Sequence, residues 1–152
     1  MIKMKAIIIT DSEILDKRLF TILTGISGLE IIASIKDVQE AFILIKEFNP
    51  DILVISPHYI TSASFDTLKE IRLLNEKLLI IVLTQDNSLE YSKLWENAGA
   101  NFIFDQAMQF NRMVDVLCSL LYRKQFNAIM AENANNQIEN NNSSLLDRQV
   151  LE

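Results

Sequence analysis

The sequence predicts an α/β fold: a doubly wound, five-stranded parallel sheet in the order 2-1-3-4-5. Three observations lead there. Five short, mainly apolar runs recur along the chain, each is followed by a stretch of helical period, and the third, Ile52 to Ile55, is apolar throughout instead of alternating. A strand apolar on both faces needs cover on both, which helices on either side of a parallel sheet supply. Right-handed crossovers distribute those helices over the two faces.

The first run is Ala6-Ile7-Ile8-Ile9. Ser12 stands as N-cap of a helix whose apolar face is Ile14, Leu15, Leu19, Ile22 and Leu23. Gly25 and Gly28 end it, and Leu29 to Ile35 is the second strand. Val38, Ala41, Phe42, Ile45 and Phe48 keep helical spacing until Asn49-Pro50, because a residue before proline is driven out of the helical region. Ile52-Leu53-Val54-Ile55 is the third strand. A looser stretch from Pro57 to Ala63 leads to a helix carrying Leu68, Ile71 and Leu74. Leu78 to Leu83 is the fourth strand, and Ser88 to Ala98 is a helix closed by Gly99. Tyr91 and Trp95 on it are read as packing residues. Phe102-Ile103-Phe104 is the fifth strand, and Phe110, Met113, Val114, Leu117, Leu120 and Leu121 draw the clearest helical stripe of the chain.

That alternation completes one domain over residues 1–122. Tyr122, Phe126, Ile129 and Met130 keep helical spacing, so residues 123–132 are predicted to extend the last helix. Such a stripe on a helix leaving a finished domain needs a cover, which is either its own domain or a second copy of the chain in a homodimer. Residues 133–143 are asparagine-rich and are predicted to be a polar linker. Residues 144–152 have the pattern of a helix start, with Ser144 and Asp147 spaced as a capping pair.

Composition narrows the function classes. The chain has 152 residues, 49% of them hydrophobic, with 3 Gly and 2 Pro, which suits an ordered globular domain. Its net charge of −6 and lack of clustered Lys and Arg argue against nucleic-acid binding by this stretch itself. The single cysteine, Cys118, excludes an internal disulfide; lying among Val116, Leu117 and Leu120, it is predicted to be buried. The opening apolar run is too short for a secretory core or a membrane span, so a soluble, cytoplasmic protein without membrane contact is predicted. His58, the one histidine, has no neighbours at metal-ligand spacing and reads as a loop residue.

Ligands of open parallel sheets bind beyond the carboxyl ends of the strands, where the strand order reverses. Thr10, Asp11, Ser12 and Glu13 follow the first strand; Ser56, Pro57 and His58 the third; Thr84 the fourth; Asp105 and Gln106 the fifth. With these tips in place, residues 3 to 122 resemble the receiver domain of two-component response regulators. The resemblance rests on Ile-Ile-Ile-Thr-Asp-Ser-Glu (7–13), Pro-Asp-Ile-Leu-Val-Ile-Ser (50–56), Ile-Val-Leu-Thr (81–84) and Ala-Gly-Ala-Asn-Phe-Ile-Phe-Asp-Gln (98–106). It implies the flavodoxin-like receiver fold, and a site where an acidic pair holds Mg²⁺, an Asp accepts a phosphoryl group, and a hydroxyl and a Lys contact that group.

Carried over position by position, that site is dismantled. Asp11 matches the first acid, but Ser12 replaces the second, although Glu13 follows it. Ser56 stands at the phosphoacceptor position, Thr84 matches the hydroxyl, Gln106 replaces the Lys, and Ser64 replaces a glycine usual in the family. Mg²⁺ prefers several charged oxygen ligands, and phosphoryl transfer relies on cations that offset developing charge. A serine cannot form an acyl phosphate. Asp11, Ser12, Ser56, Thr84 and Gln106 therefore read as a degenerate phosphorylation pocket with no catalytic residue, metal or cofactor, in which Ser56 and Gln106 form a neutral plug and Ser12 caps a helix. Glu13 is the one residue that could stand in for the missing acid.

Residues 143–152 resemble the opening of the helix-turn-helix domain of NarL/LuxR-class transcription regulators. That resemblance implies an attached DNA-binding domain after residue 152, so that DNA is bound by the longer protein and not by this stretch, with a sensor kinase as the upstream partner of ordinary members. The reading is a non-enzymatic pseudo-receiver that controls dimerisation or interdomain contact. Two alternatives stand beside it. One is a receiver phosphorylated by unusual chemistry. The other is a flavodoxin-like cofactor binder, against which Asp11 and Glu13 count because they would repel a phosphate.

Overall fold

The computed structural model describes residues 3–57, 62–86 and 88–151, with side chains as far as residue 143. The elements alternate as predicted: β1 (Met4–Thr10), α1 (Glu13–Thr24), β2 (Leu29–Ile35), α2 (Val38–Phe48), β3 (Ile52–Ser56), α3 (Ser62–Leu74), β4 (Leu79–Thr84), α4 (Leu89–Ala98), β5 (Phe102–Asp105) and α5 (Phe110–Leu151). Every strand pairing is parallel, and the sheet runs β2-β1-β3-β4-β5. The predicted fold class and strand order hold.

Period-two alternation of side chains divides each central strand between two cores. Ala6 and Ile8 of β1, Ile52 and Val54 of β3, and Ile81 and Leu83 of β4 face α1 and α5, where Leu15, Leu19, Leu23, Phe110, Met113, Leu117 and Leu121 meet them. Ile7, Ile9, Leu53, Ile55, Ile80 and Val82 face α2, α3 and α4, against Ala41, Ile45, Phe65, Leu68, Ile71 and Trp95. Each fully buried aliphatic side chain contributes about 1.5–3 kcal/mol. The continuous apolarity of these strands is thereby accounted for: both faces are core.

Helix ends are set by local chemistry. Ser12 Oγ accepts from the Leu15 amide at 3.3 Å, Asp37 Oδ1 from Gln39 at 2.9 Å, and Ser88 Oγ from Tyr91 at 3.4 Å. Asn49 closes α2 in the left-handed conformation, at φ 47°. Gly99 closes α4 at φ 113°, and a Cβ there would meet Arg72 atoms at 3.0 Å. The close approach has a purpose. The Arg72 guanidinium donates to the carbonyls of Gly99 (3.1 and 2.5 Å), Glu76 (3.0 Å) and Leu78 (2.6 Å) and to Asn101 Oδ1 (2.7 Å). It clamps the end of α3 to the α4–β5 turn, and partial burial lowers its pKa from the ordinary arginine value.

Several expectations are corrected. Ile14 is 84% exposed and Ile22 only half-buried, because the core-facing line of α1 is Leu15, Leu19 and Leu23 at i, i+4, i+8. Phe48 is exposed at the end of α2. Ser62 and Ala63, expected in a loose stretch, already belong to α3. Cys118 is exposed, since it lies one residue past buried Leu117 and so turns about 100° away from the core. α5 runs 42 residues without a break, so that residues 123–132 and the asparagine-rich 133–143 alike are helical. Asparagine is a mediocre helix former, yet the segment contains neither Gly nor Pro, and a helix already nucleated on the body propagates at little cost per residue. Residues 144–151 continue the same helix rather than starting one; their side chains, and hence the Ser144 and Asp147 capping pair, lie outside the described residues, as does His58. Among the described residues no helix is long and apolar enough to cross a membrane.

Candidate functional site

Strand order reverses at β1, whose two neighbours lead away in opposite directions, so β1 and β3 deliver their tips side by side. Thr10 and Ser56 are register partners at those tips, and Thr84 and Asp105 are partners one strand pair further on. A cleft of about 220 Å³ opens above them, lined by Thr10, Asp11, Ser12, Ser56, Pro57, Gln85 and Gln106. Four of the five predicted pocket residues thus come together: Asp11, Ser12, Ser56 and Gln106.

At its centre the Ser56 hydroxyl donates to Gln106 Oε1 at 3.3 Å, joining β3 to the end of β5. Ser56 is buried, and Gln106 is held in place because its amide donates to the Thr84 carbonyl at 2.8 Å. This is a weak neutral bond that needs no counter-charge. Ser12 is committed elsewhere: its hydroxyl caps α1, and its amide donates to Thr10 Oγ1 at 3.2 Å. Asp11 is exposed and is the one carboxylate on the cleft wall.

The structure separates Thr84 from the other four. Its side chain is buried, donates to the Asp86 carbonyl at 2.8 Å and accepts from the Asp86 amide at 3.1 Å, which ties up the β4–α4 turn. Gln85 takes its place on the wall, a residue missed because the family pattern drew attention to Thr84; reading one position past each strand tip would have found it. Asp105 likewise faces away and accepts from the amides of Ala107 and Met108 at 3.0 and 2.8 Å, closing the turn into α5. Glu13 lies outside the cleft, in a smaller adjoining depression with Asp11, Asp16, Ser34 and Lys36.

The donor set does not suit the Mg²⁺ that the resemblance implies. One carboxylate, a hydroxyl already capping a helix and a Ser–Gln pair offer too little negative charge for a hard divalent cation. Among the described residues no three His, Cys, Asp or Glu side chains gather where a metal could sit.

A second cavity of about 170 Å³ adjoins the first on the α2–α3 side and shares Thr10, Asp11, Ser56 and Pro57 with it. Lys36, Asp37, Leu68 and Trp95 complete much of its wall. Trp95 is 1% exposed and packs against Phe65 with ring centroids 4.5 Å apart, as predicted of a packing residue. Its indole Nε1 has no hydrogen-bond partner among the described residues.

The other predicted site lies at the opposite end of the body. α5 begins four residues after Gln106, crosses the sheet and leaves it near Lys124, which pairs with Asp51 at 3.2 Å just before β3. There Tyr122, Phe126, Ile129 and Met130 are 74%, 50%, 55% and 52% exposed. Among the described residues nothing buries them fully.

No family model matches the chain. It is 29% identical over 105 residues to the protein-glutamate methylesterase/protein-glutamine glutaminase of Methanococcus maripaludis, a match covering 68% of this chain and 29% of that protein. The chain therefore spans less than a third of that relative's length. Among solved structures it is similar to a two-component response regulator of the LuxR family from an Aurantimonas species, with TM-score 0.68, 19% identity, and 79% and 86% of the two chains covered. It is also similar to the signal receiver domain of the response regulator NarL from Mycobacterium tuberculosis, with TM-score 0.69, 12% identity, and 80% and 98% covered. At these identities the likeness concerns architecture: the chain has the receiver fold.

Proposed function

We propose that this receiver-fold chain is the regulatory module of a two-component-type transcription regulator, and that it transmits its state by contact instead of aspartyl phosphorylation. The observation that carries the proposal is the Ser56–Gln106 hydrogen bond, a neutral pair where the family places a carboxylate and a lysine. Without an acceptor carboxylate no acyl phosphate forms, and without a lysine or a cation its charge would go unmatched. The pair joins β3 to the end of β5.

Output runs through α5. Its first turns pack on the sheet close to Gln106, and its exposed stripe of Tyr122, Phe126, Ile129 and Met130 is the surface for a second copy. The DNA-reading domain implied by the resemblance of residues 143–152 would be carried on the same helix, in the cytoplasm. The LuxR-family regulator and NarL receiver domain that share the fold support this reading. The esterase activity named for the archaeal relative belongs to a protein more than three times as long as the match, and among the described residues no histidine or cysteine lines the cleft.

Incubation with acetyl phosphate, and separately with beryllofluoride and Mg²⁺, tests the proposal by intact mass and amide NMR. The mass stays unchanged, and the resonances of Asp11, Ser56 and Gln106 do not move. A hydroxylamine-labile phosphoprotein, or Mg²⁺-dependent shifts around Asp11, would overturn it.

A further inference from the structure

The projecting part of α5 carries a second periodicity. Stepping alternately four and three residues from Tyr122, the helix places Phe126, Ile129, Asn133, Asn136 and Asn140 on one stripe. These are the two core positions of a seven-residue repeat: Phe126, Asn133 and Asn140 at the first, Tyr122, Ile129 and Asn136 at the second. The stripe is out of phase with the buried line of Met113, Leu117 and Leu121. At about 100° per residue, Tyr122 sits about 100° from Leu121 and about 140° from Leu117, so the seam turns away from the sheet. Two copies can meet along it with their bodies held on the outside. Met130 and Ile138, the other large exposed apolar residues here, fall off the seam.

Every residue from 131 to 143 is exposed, so the body gives this stretch no packing. The seam itself indicates what does. Asparagine at a first core position favours two parallel strands, because its carboxamide both donates to and accepts from its own copy. A parallel pair sets Phe126 on Phe126 and Asn133 on Asn133. An antiparallel pair either sets the apolar turns against the asparagines or leaves the asparagines outside the contact. Charge agrees: Arg123, Lys124, Glu132 and Glu139 sum to zero over 122–143. Glu132 and Glu139 flank the seam on one side, where parallel strands set them against Gln137 and residue 144 and antiparallel strands set that acidic flank against itself.

We infer that residues 122–143 form a parallel, in-register, two-stranded coiled coil with a second copy of this chain, apolar over Tyr122–Ile129 and asparagine-paired beyond. This rests on the self-association reading above and deepens it. The polar layers weaken the pair and fix its register, so the rod, about 33 Å long at 1.5 Å per residue, presents whatever follows it as a side-by-side pair.

The test uses the full chain with Cys118→Ser and one new cysteine, Ile129→Cys or Asn136→Cys, under mild oxidation, with sedimentation of the reduced proteins in parallel. Dimers in sedimentation and near-complete cross-linking at both positions are expected, since each residue meets its own copy. A dimer that cross-links at only one position, or at neither, overturns the parallel register while self-association stands. A monomer at every concentration overturns both. Asn133→Leu with Asn140→Leu supplies an independent readout: association at least tenfold tighter, with species larger than dimers appearing. Unchanged association would show that these asparagines are not in the seam.

Discussion

α5 is one helix under two regimes. From Phe110 to Leu121 its apolar line is buried against β1, β3, β4 and β5; from Tyr122 to Ile138 its large apolar residues are half or more exposed. The body half is stabilised by tertiary packing on the sheet and on α1. The projecting half keeps the Lys124–Asp51 ion pair at its root, but residues 131–143 are exposed throughout, and helical propensity alone leaves such a stretch marginal. Helical period tells that a face exists, but the phase of that face decides whether it belongs to the same molecule. The apolar line shifts between Leu121 and Tyr122, and at that point the body ends.

That contrast can be broken or sharpened by substitution. The largest effect is expected for Leu117→Ala, which should cost about 3 kcal/mol in urea unfolding, from lost burial plus a cavity in the α1–α5 core. A cost below 1 kcal/mol would mean that the body half of α5 is no better packed than the arm. Arg72→Ala should follow at about 2 kcal/mol, because several carbonyls at the α3 and α4 ends lose a charged donor. Arg72→Lys should recover less than half of it, since an ammonium cannot span the same acceptors. Ser12→Ala should cost about 1 kcal/mol through the lost α1 cap, read as a lower thermal midpoint. The smallest effect sharpens the contrast most. Phe126→Asp with Ile129→Asp should change unfolding of the dilute chain by no more than about 0.5 kcal/mol, while abolishing self-association in sedimentation. A larger loss of stability would show that the stripe packs on its own body.

Much of this was legible in residue order. The five apolar runs gave the five strands because buried parallel strands have no polar face to disguise them, and Ser12, Asn49 and Gly99 marked helix ends because capping is local chemistry. Asp11, Ser12, Ser56 and Gln106 could be placed in one cleft because strand tips at the reversal of strand order converge by topology. Side-chain direction was less accessible. Thr84 sits at the right tip but turns into the β4–α4 loop, and Gln85, one residue on, lines the cleft. Cys118 and Ile14 keep apolar company in sequence and face water in the fold, since one step along a helix rotates a side chain about 100°. The asparagines of 133–143 suggested a linker by composition, whereas helix propagation depends on the absence of breakers and on a nucleus provided elsewhere.

By itself, then, the order of residues determined the α/β class, the alternation of five strands with five helices, the capped helix ends and the identity of the residues at the strand tips. All of these follow from local periodicity, capping and residue identity. Only the tertiary structure decided that Ser56 and Gln106, fifty positions apart, share a hydrogen bond, that Thr84 does not join them, and that α5 leaves the body with its apolar stripe turned outward. Those outcomes depend on where distant segments meet and on the phase at which a helix docks, and only the packed chain sets both.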